Sequence, residues 1–150
     1  LLYLGRPTDS VTVEAYRHLV DPVIDDPTII ANLAPRVLVT ADVNVSEILD
    51  LRSPRTRVAV GLSLGQIQST TDDRNAYAAC HQDSAAAHQG GFPGLIAPAA
   101  TGLGETLALL SNLLSAAEQP VVTDVMYWDQ LPADPRAARP GARLRVVRDD

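Results

Sequence analysis

A chain of 150 residues, 46% hydrophobic and 20% charged, has room for one core, and at this length folding buries roughly 68–70% of the unfolded surface without metal or disulfide staples. All 12 basic residues are arginine, which excludes a P-loop lysine, a pyridoxal Schiff base, a protein-kinase phosphate lysine and a Ser-x-x-Lys acylation site. A net charge of −6 with 4% aromatic residues lacks the basic footprint and stacking platforms of a nucleic-acid binder, and no apolar stretch approaches the ~18 residues of a membrane span.

Taken in chain order, Leu1 to Leu4 is a continuous apolar run that predicts a buried strand, broken by Gly5 and Pro7. Val11, Ala15 and Leu19 then recur at helical spacing, with Thr8 or Asp9 as the cap and Asp21-Pro22 as the stop. A second short helix is expected from Pro27 to Leu33. Arg36 to Val45 alternates, which places Val37, Val39, Ala41, Val43 and Val45 on one side of a half-buried strand. Ser46 to Ala59 predicts turns and a short helical piece, with Ser46 capping Glu47-Ile48-Leu49 and Ser53-Pro54 opening the next turn. The Ala-rich segment from Asp73 to Gln89 predicts a helix closed by Gly90-Gly91. Gly94 to Ala97, Thr106 to Leu110, Val121 to Val125 and Arg143 to Val147 follow as strands, Met126 to Gln130 as helical and Pro132 to Pro140 as a loop. Strands and helices without a regular βαβ alternation predict a single α+β domain.

Several motifs have a chemical and a plain reading. Gly61-Leu62-Ser63-Leu64-Gly65 matches the nucleophile elbow of serine hydrolases, yet the polar stretch after it is a poor helix and no histidine lies beyond His88; the plain reading is a turn between two short helices. Gly102-Leu103-Gly104 lacks the third glycine of a dinucleotide fingerprint. The small residues around it, Ala99, Ala100 and Thr101, leave room for backbone to approach a phosphate or sugar, and a β-turn fits equally well. His81 and His88 share a helix face but lie about 10.5 Å apart along the axis, too far to hold one metal. A single cysteine, Cys80, with three histidines builds no Cys-rich zinc site, so no metal is expected, and the lone thiol makes a reducing cytoplasm the simpler compartment. Arg52, Arg55 and Arg57 form a small basic patch, read as a solvated turn before a phosphate contact. Tyr127 and Trp128 are expected in a small apolar cluster, with an exposed partner contact as the alternative.

An ordered set of segments resembles the RES-domain family, named for its Arg, Glu and Ser. The set comprises Leu2-Tyr3-Leu4-Gly5 with Pro7 to Glu14, Val43 to Leu51 ending in a Leu-Asp-Leu turn, Ala76 to Gly94, and Pro98-Ala99-Ala100 with Thr106 to Leu109. The likeness covers about Leu2 to Leu110. It implies an ADP-ribosyltransferase-like α+β domain, a mixed sheet flanked by helices. It further implies a bacterial type II toxin that degrades NAD and arrests growth unless an Xre-like antitoxin binds it in a hetero-oligomer. NAD would be the substrate, cleaved at the nicotinamide–ribose bond by water or by inorganic phosphate as co-substrate, or less often used to modify a protein; no metal, membrane or direct nucleic-acid contact is implied. By position, Tyr3 would stand at the nicotinamide end of the NAD site and Glu14 would be the family's glutamate.

Those residue types suit the chemistry. Loss of nicotinamide passes through an oxocarbenium-like state that a nearby carboxylate stabilises, and an aromatic face packs a nicotinamide ring. Two positions depart from the pattern. Ala99 stands where the family has Ser, with Thr101 the nearest hydroxyl, and the family's upstream Arg has no counterpart after the abrupt opening at Leu1. The expectation is therefore of a domain cut at its N-terminal side and of impaired activity in this form. A non-catalytic RES-like module that binds an antitoxin-like partner is the alternative from a different class, and a small hydrolase using Ser63 is the third.

Overall fold

The computed structural model describes residues 1–19, 36–69, 73–129, 132, 133 and 135. The helix expected from Pro27 to Leu33, its neighbouring stop at Asp21-Pro22 and the strand expected from Arg143 to Val147 lie outside the described residues. Strand β1 (Leu2–Arg6) leads into helix α1 (Thr8–Leu19), then β2 (Arg36–Asp42) and a two-residue strand β3 (Leu49–Asp50). Two short helices, α2 (Pro54–Val60) and α3 (Leu64–Ile67), precede the longest helix, α4 (Arg74–Gln89). Strands β4 (Gly94–Pro98) and β5 (Glu105–Leu109), a 3-10 turn (Ala116–Glu118) and strand β6 (Val121–Trp128) follow.

The main sheet has the order β1-β5-β4-β3, antiparallel except for the parallel pair of β3 with β4, and β2 pairs with β6 in a separate two-stranded ribbon. A mixed sheet with flanking helices makes this an α+β fold, as the element pattern predicts. Val13 of α1, Ile96 and Ala99 in or just after β4, and Ala108 and Leu109 of β5 form the core with Leu51, Leu62, Ala76 and Ala87. Helix α1 packs on β1, and α3 and α4 pack on β4.

Local signals explain most of these elements. Asp73 caps α4 by accepting from the Asn75 and Ala76 amides, both at 3.1 Å, and Pro54 occupies the first turn of α2, where its missing N–H costs nothing. Helix α1 begins one step earlier than the expected Thr8 or Asp9 cap, because the Ser10 amide already donates to the Pro7 carbonyl at 2.8 Å.

Four expectations are corrected. β1 is a strand but not a buried one: it is the sheet edge, and Leu1, Leu2 and Tyr3 are exposed. Ser46 caps no helix; Glu47 has a left-handed φ of 56° and the chain then enters β3, drawn into parallel pairing with β4. Met126 to Trp128 continue β6 instead of turning helical, because Arg36, Val37 and Leu38 pair with them. Val37 and Val39, expected on a buried side, are exposed, since within the described residues β2 pairs with β6 and is covered no further.

Candidate active-site cleft

Cross-strand neighbours in a sheet share a face, so Leu4, Leu107 and Ile96 form one apolar row across β1, β5 and β4. This row floors a cleft of about 620 Å³ whose opposite wall is β2, from Leu38 to Asp42, with Val43, Val45 and Ile48. Tyr3 stands on the rim, Arg6 and Glu105 at one end, and Thr8 and Val11 bring the start of α1 to the same space. The volume is that of a small-molecule site, and its lining is mixed, polar nearly as much as apolar.

The polar end of the cleft is a chain of ion pairs. Arg6 and Glu105 face each other across β1 and β5, and the Arg6 Nε donates to Glu105 Oε1. Glu105 Oε2 accepts from Arg52 Nη1 at 3.0 Å, and Arg52 is itself gripped by Asp50 through Nε at 2.9 Å and Nη2 at 2.8 Å. Partial burial pushes the Glu105 carboxyl up, but the hydrogen bonds from Arg52 and Arg6 together outweigh it and hold the group below its ordinary value. The Arg52 hydrogen bond likewise lowers Asp50, and the two carboxylates raise Arg52. Glu105, Asp50 and Arg52 are therefore charged at neutral pH.

Of the residues expected at the site, Tyr3 lines the cleft. Glu14 is half-buried on α1, one turn beyond the cleft-lining Val11 on the same stripe of the helix, and is not itself a lining residue. Ala99 is fully buried and Thr101 lies in the turn after β4, where its Oγ1 accepts from the Leu103 amide at 3.4 Å. Gly102 and Gly104 both take a left-handed φ, so Gly102-Leu103-Gly104 is the turn joining β4 to β5. The basic patch divides: Arg52 joins the ion-pair chain, Arg57 donates to the Leu51 and Arg52 carbonyls at 2.8 and 2.7 Å, and Arg55 is exposed. Sequence reasoning assigned no role to Arg6 or Glu105, which lie 99 positions apart; no local pattern announces that pair.

The remaining motifs settle into structural roles. Ser63 caps α3, donating to Gln66 Oε1 at 2.9 Å and accepting from the Gln66 amide at 3.1 Å, which is the turn between two short helices. His88 Nε2 pairs with Asn112 at 3.1 Å and the His81 ring lies 6.3 Å from that of Tyr77. Among the described residues no group of three or more potential ligands could hold a metal, and no helix is long and apolar enough to cross a membrane. Tyr127 is 77% exposed, not part of a core cluster, and with Val37 and Val125 it forms an open apolar patch of the ribbon.

No family model matches the chain, and no curated protein matches it. A solved structure does: the crystal structure of the M. tuberculosis MbcT-MbcA toxin-antitoxin complex contains a chain similar to this one with a TM-score of 0.67 and 25% sequence identity. The match covers 84% of this chain and 64% of that one, so the present chain spans less than two thirds of its structural neighbour.

Proposed function

We propose that this chain is the toxin of a toxin–antitoxin pair and that it degrades NAD by cleaving the nicotinamide–ribose bond. The observation that carries the first part is its likeness to a chain of a toxin–antitoxin complex, at a TM-score of 0.67. The NAD part rests on the resemblance of the Tyr3 to Glu14 segment to the RES family, and the cleft beside Tyr3 supports it by its size and by the cationic group at its end. The ribbon patch of Val37, Val125 and Tyr127 suits a protein partner, since exposed contiguous apolar surface marks interaction sites; an Xre-like antitoxin is the partner proposed.

In this reading Tyr3 packs against the nicotinamide ring at the rim. The glycosidic C–N bond breaks with its electron pair moving to the ring nitrogen, so nicotinamide leaves neutral and positive charge develops on the ribose. Glu14, one turn along α1 from the cleft wall, stabilises that charge. Water, losing a proton to solvent, or inorganic phosphate then bonds to the anomeric carbon.

The test is NAD loss in the presence of the purified chain, with and without inorganic phosphate, beside Glu14→Ala. Loss that needs Glu14 is the expected result, and stimulation by phosphate identifies phosphorolysis. Intact NAD under every condition, with an antitoxin-like partner still bound, would replace this reading with that of a non-catalytic binding module.

A further inference from the structure

Arg6 and Arg52 share one carboxylate but are held very differently. Arg52 commits Nε and Nη2 to the two oxygens of Asp50 and Nη1 to Glu105, so all three of its nitrogens are engaged within the protein. Among the described residues Arg6 is held through Nε, by Glu105, and its side chain is 72% exposed where that of Glu105 is 18% exposed. A guanidinium carries five N–H donors in one plane. Fixing Nε orients that plane and, among the described residues, leaves the four Nη donors uncommitted on an exposed side chain.

We infer that Arg6 is a phosphate anchor at the end of the cleft and that Glu105 is its positioning residue. An Nη pair in a fixed plane matches two oxygens of a phosphate, and the order Asp50, Arg52, Glu105, Arg6 is a chain of buttresses that ends in such a pair. The β1–β5 ladder already sets the register of the two strands from Leu2 to Arg6, so the exposed ion pair is not required to hold them. Arg6 and Leu4, two residues apart on β1, share the cleft face, and Glu105 shares it with Leu107, so the Arg6 guanidinium borders the same space as the apolar floor; Tyr3, three residues from Arg6, starts from the opposite face of the edge strand. The inference rests on the NAD reading for the nicotinamide ring but not for the anion. The phosphate could belong to the dinucleotide's diphosphate or to inorganic phosphate acting as acceptor.

The probes are nicotinamide mononucleotide, nicotinamide riboside, which lacks only the phosphate, and inorganic pyrophosphate, each titrated calorimetrically against the purified chain, Arg6→Ala, Arg6→Lys and Glu105→Gln. The expected result is that the wild-type chain prefers the mononucleotide over the riboside by about tenfold or more. Arg6→Ala erases that preference with riboside affinity unchanged, Arg6→Lys keeps part of it, and Glu105→Gln weakens the mononucleotide several-fold while leaving the riboside alone. A preference that survives Arg6→Ala, or an equal loss for both ligands, overturns the inference. If neither nicotinamide ligand binds the wild type, the NAD reading falls and pyrophosphate decides the anchor: binding lost in Arg6→Ala upholds it, and no binding to the wild type overturns it. Steady-state turnover separates the sources. A raised KM for NAD alone assigns the anchor to the dinucleotide, and a raised KM for phosphate alone assigns it to the acceptor.

Discussion

Gly104 sits directly against the carbonyl of Arg6: a Cβ at position 104 would run into that oxygen and come within 2.7 Å of Pro7 Cδ, and the residue also has a φ of +76°. The turn between β4 and β5 thus reaches the place where β1 passes into α1, and it does so on a residue that tolerates no side chain. Backbone lies on the other side of the contact, so relief requires moving β1 or the turn.

Gly104→Ala is therefore expected to destabilise the fold by about 1–3 kcal/mol or more, combining a left-handed φ with a clash. Urea unfolding followed by circular dichroism measures this. The same substitution displaces the strand end that carries Arg6, so weaker binding of a phosphate-bearing ligand should accompany the loss of stability. A variant with unchanged midpoint would show that the close approach of Gly104 to Arg6 is wrong.

Tyr3 is expected to behave in the opposite way. It is 66% exposed on an edge strand, so Tyr3→Ala should change stability by no more than about 0.5 kcal/mol. NAD turnover should fall at least tenfold if the ring packs nicotinamide, and Tyr3→Phe should keep most of it if packing outweighs the hydroxyl. Thermal unfolding and an NAD-depletion assay on the same preparations separate the two effects.

The contrast between those residues shows what was legible in the sequence. Elements with their own start and stop signals were readable: Asp73 and Gly90 bound α4, and Ser53-Pro54 opens α2. Elements defined by distant pairing were not. Leu49–Asp50 is a strand because Leu95 and Ile96 lie beside it, and β6 runs on to Trp128 because Arg36 lies opposite, a relation between segments more than eighty residues apart. The cleft follows the same division. Tyr3 was singled out through a family likeness, whereas the cation at the end of the cleft acquires meaning only when Glu105 is brought across from β5.

Glu118 offers a pH test remote from the cleft. Its carboxylate accepts from the Ser115 hydroxyl at 2.8 Å, from the Ser46 amide at 3.2 Å and from the Ser46 hydroxyl at 3.0 Å, tying the loop before β3 to the turn before β6. The Ser115 hydroxyl, then the Ser46 amide and hydroxyl, hold the carboxyl down to about 2 from an ordinary 4.5. A group depressed on folding contributes stability that is complete above its unfolded value and is lost as pH falls through its folded one. The contribution should therefore be intact above pH 4.5 and disappear between there and pH 2. NMR titration of Glu118 and denaturation of Glu118→Gln over that range check it; the variant should show a shallower acid loss than the wild type.

Ser63 and Cys80, two potential nucleophiles, are both expected to be chemically quiet, for different reasons. The Ser63 hydroxyl is spent on Gln66 in both directions, so a fluorophosphonate should not label it. Ser63→Ala should leave NAD turnover unchanged while costing about 0.5–2 kcal/mol of stability through the lost cap. Cys80 is half-buried with its sulfur 3.9 Å from the Gln66 carbonyl; burial first, and then the charge of Asp83, push its thiol up. Because the thiolate is the reactive form, iodoacetamide at pH 8 should alkylate Cys80 several-fold more slowly than free cysteine, and urea should abolish the difference. Labelling of Ser63, or alkylation of folded Cys80 at the free-cysteine rate, would reopen a nucleophilic mechanism. Loss of both signals would leave the cleft between β1 and β2 as the place to look for chemistry.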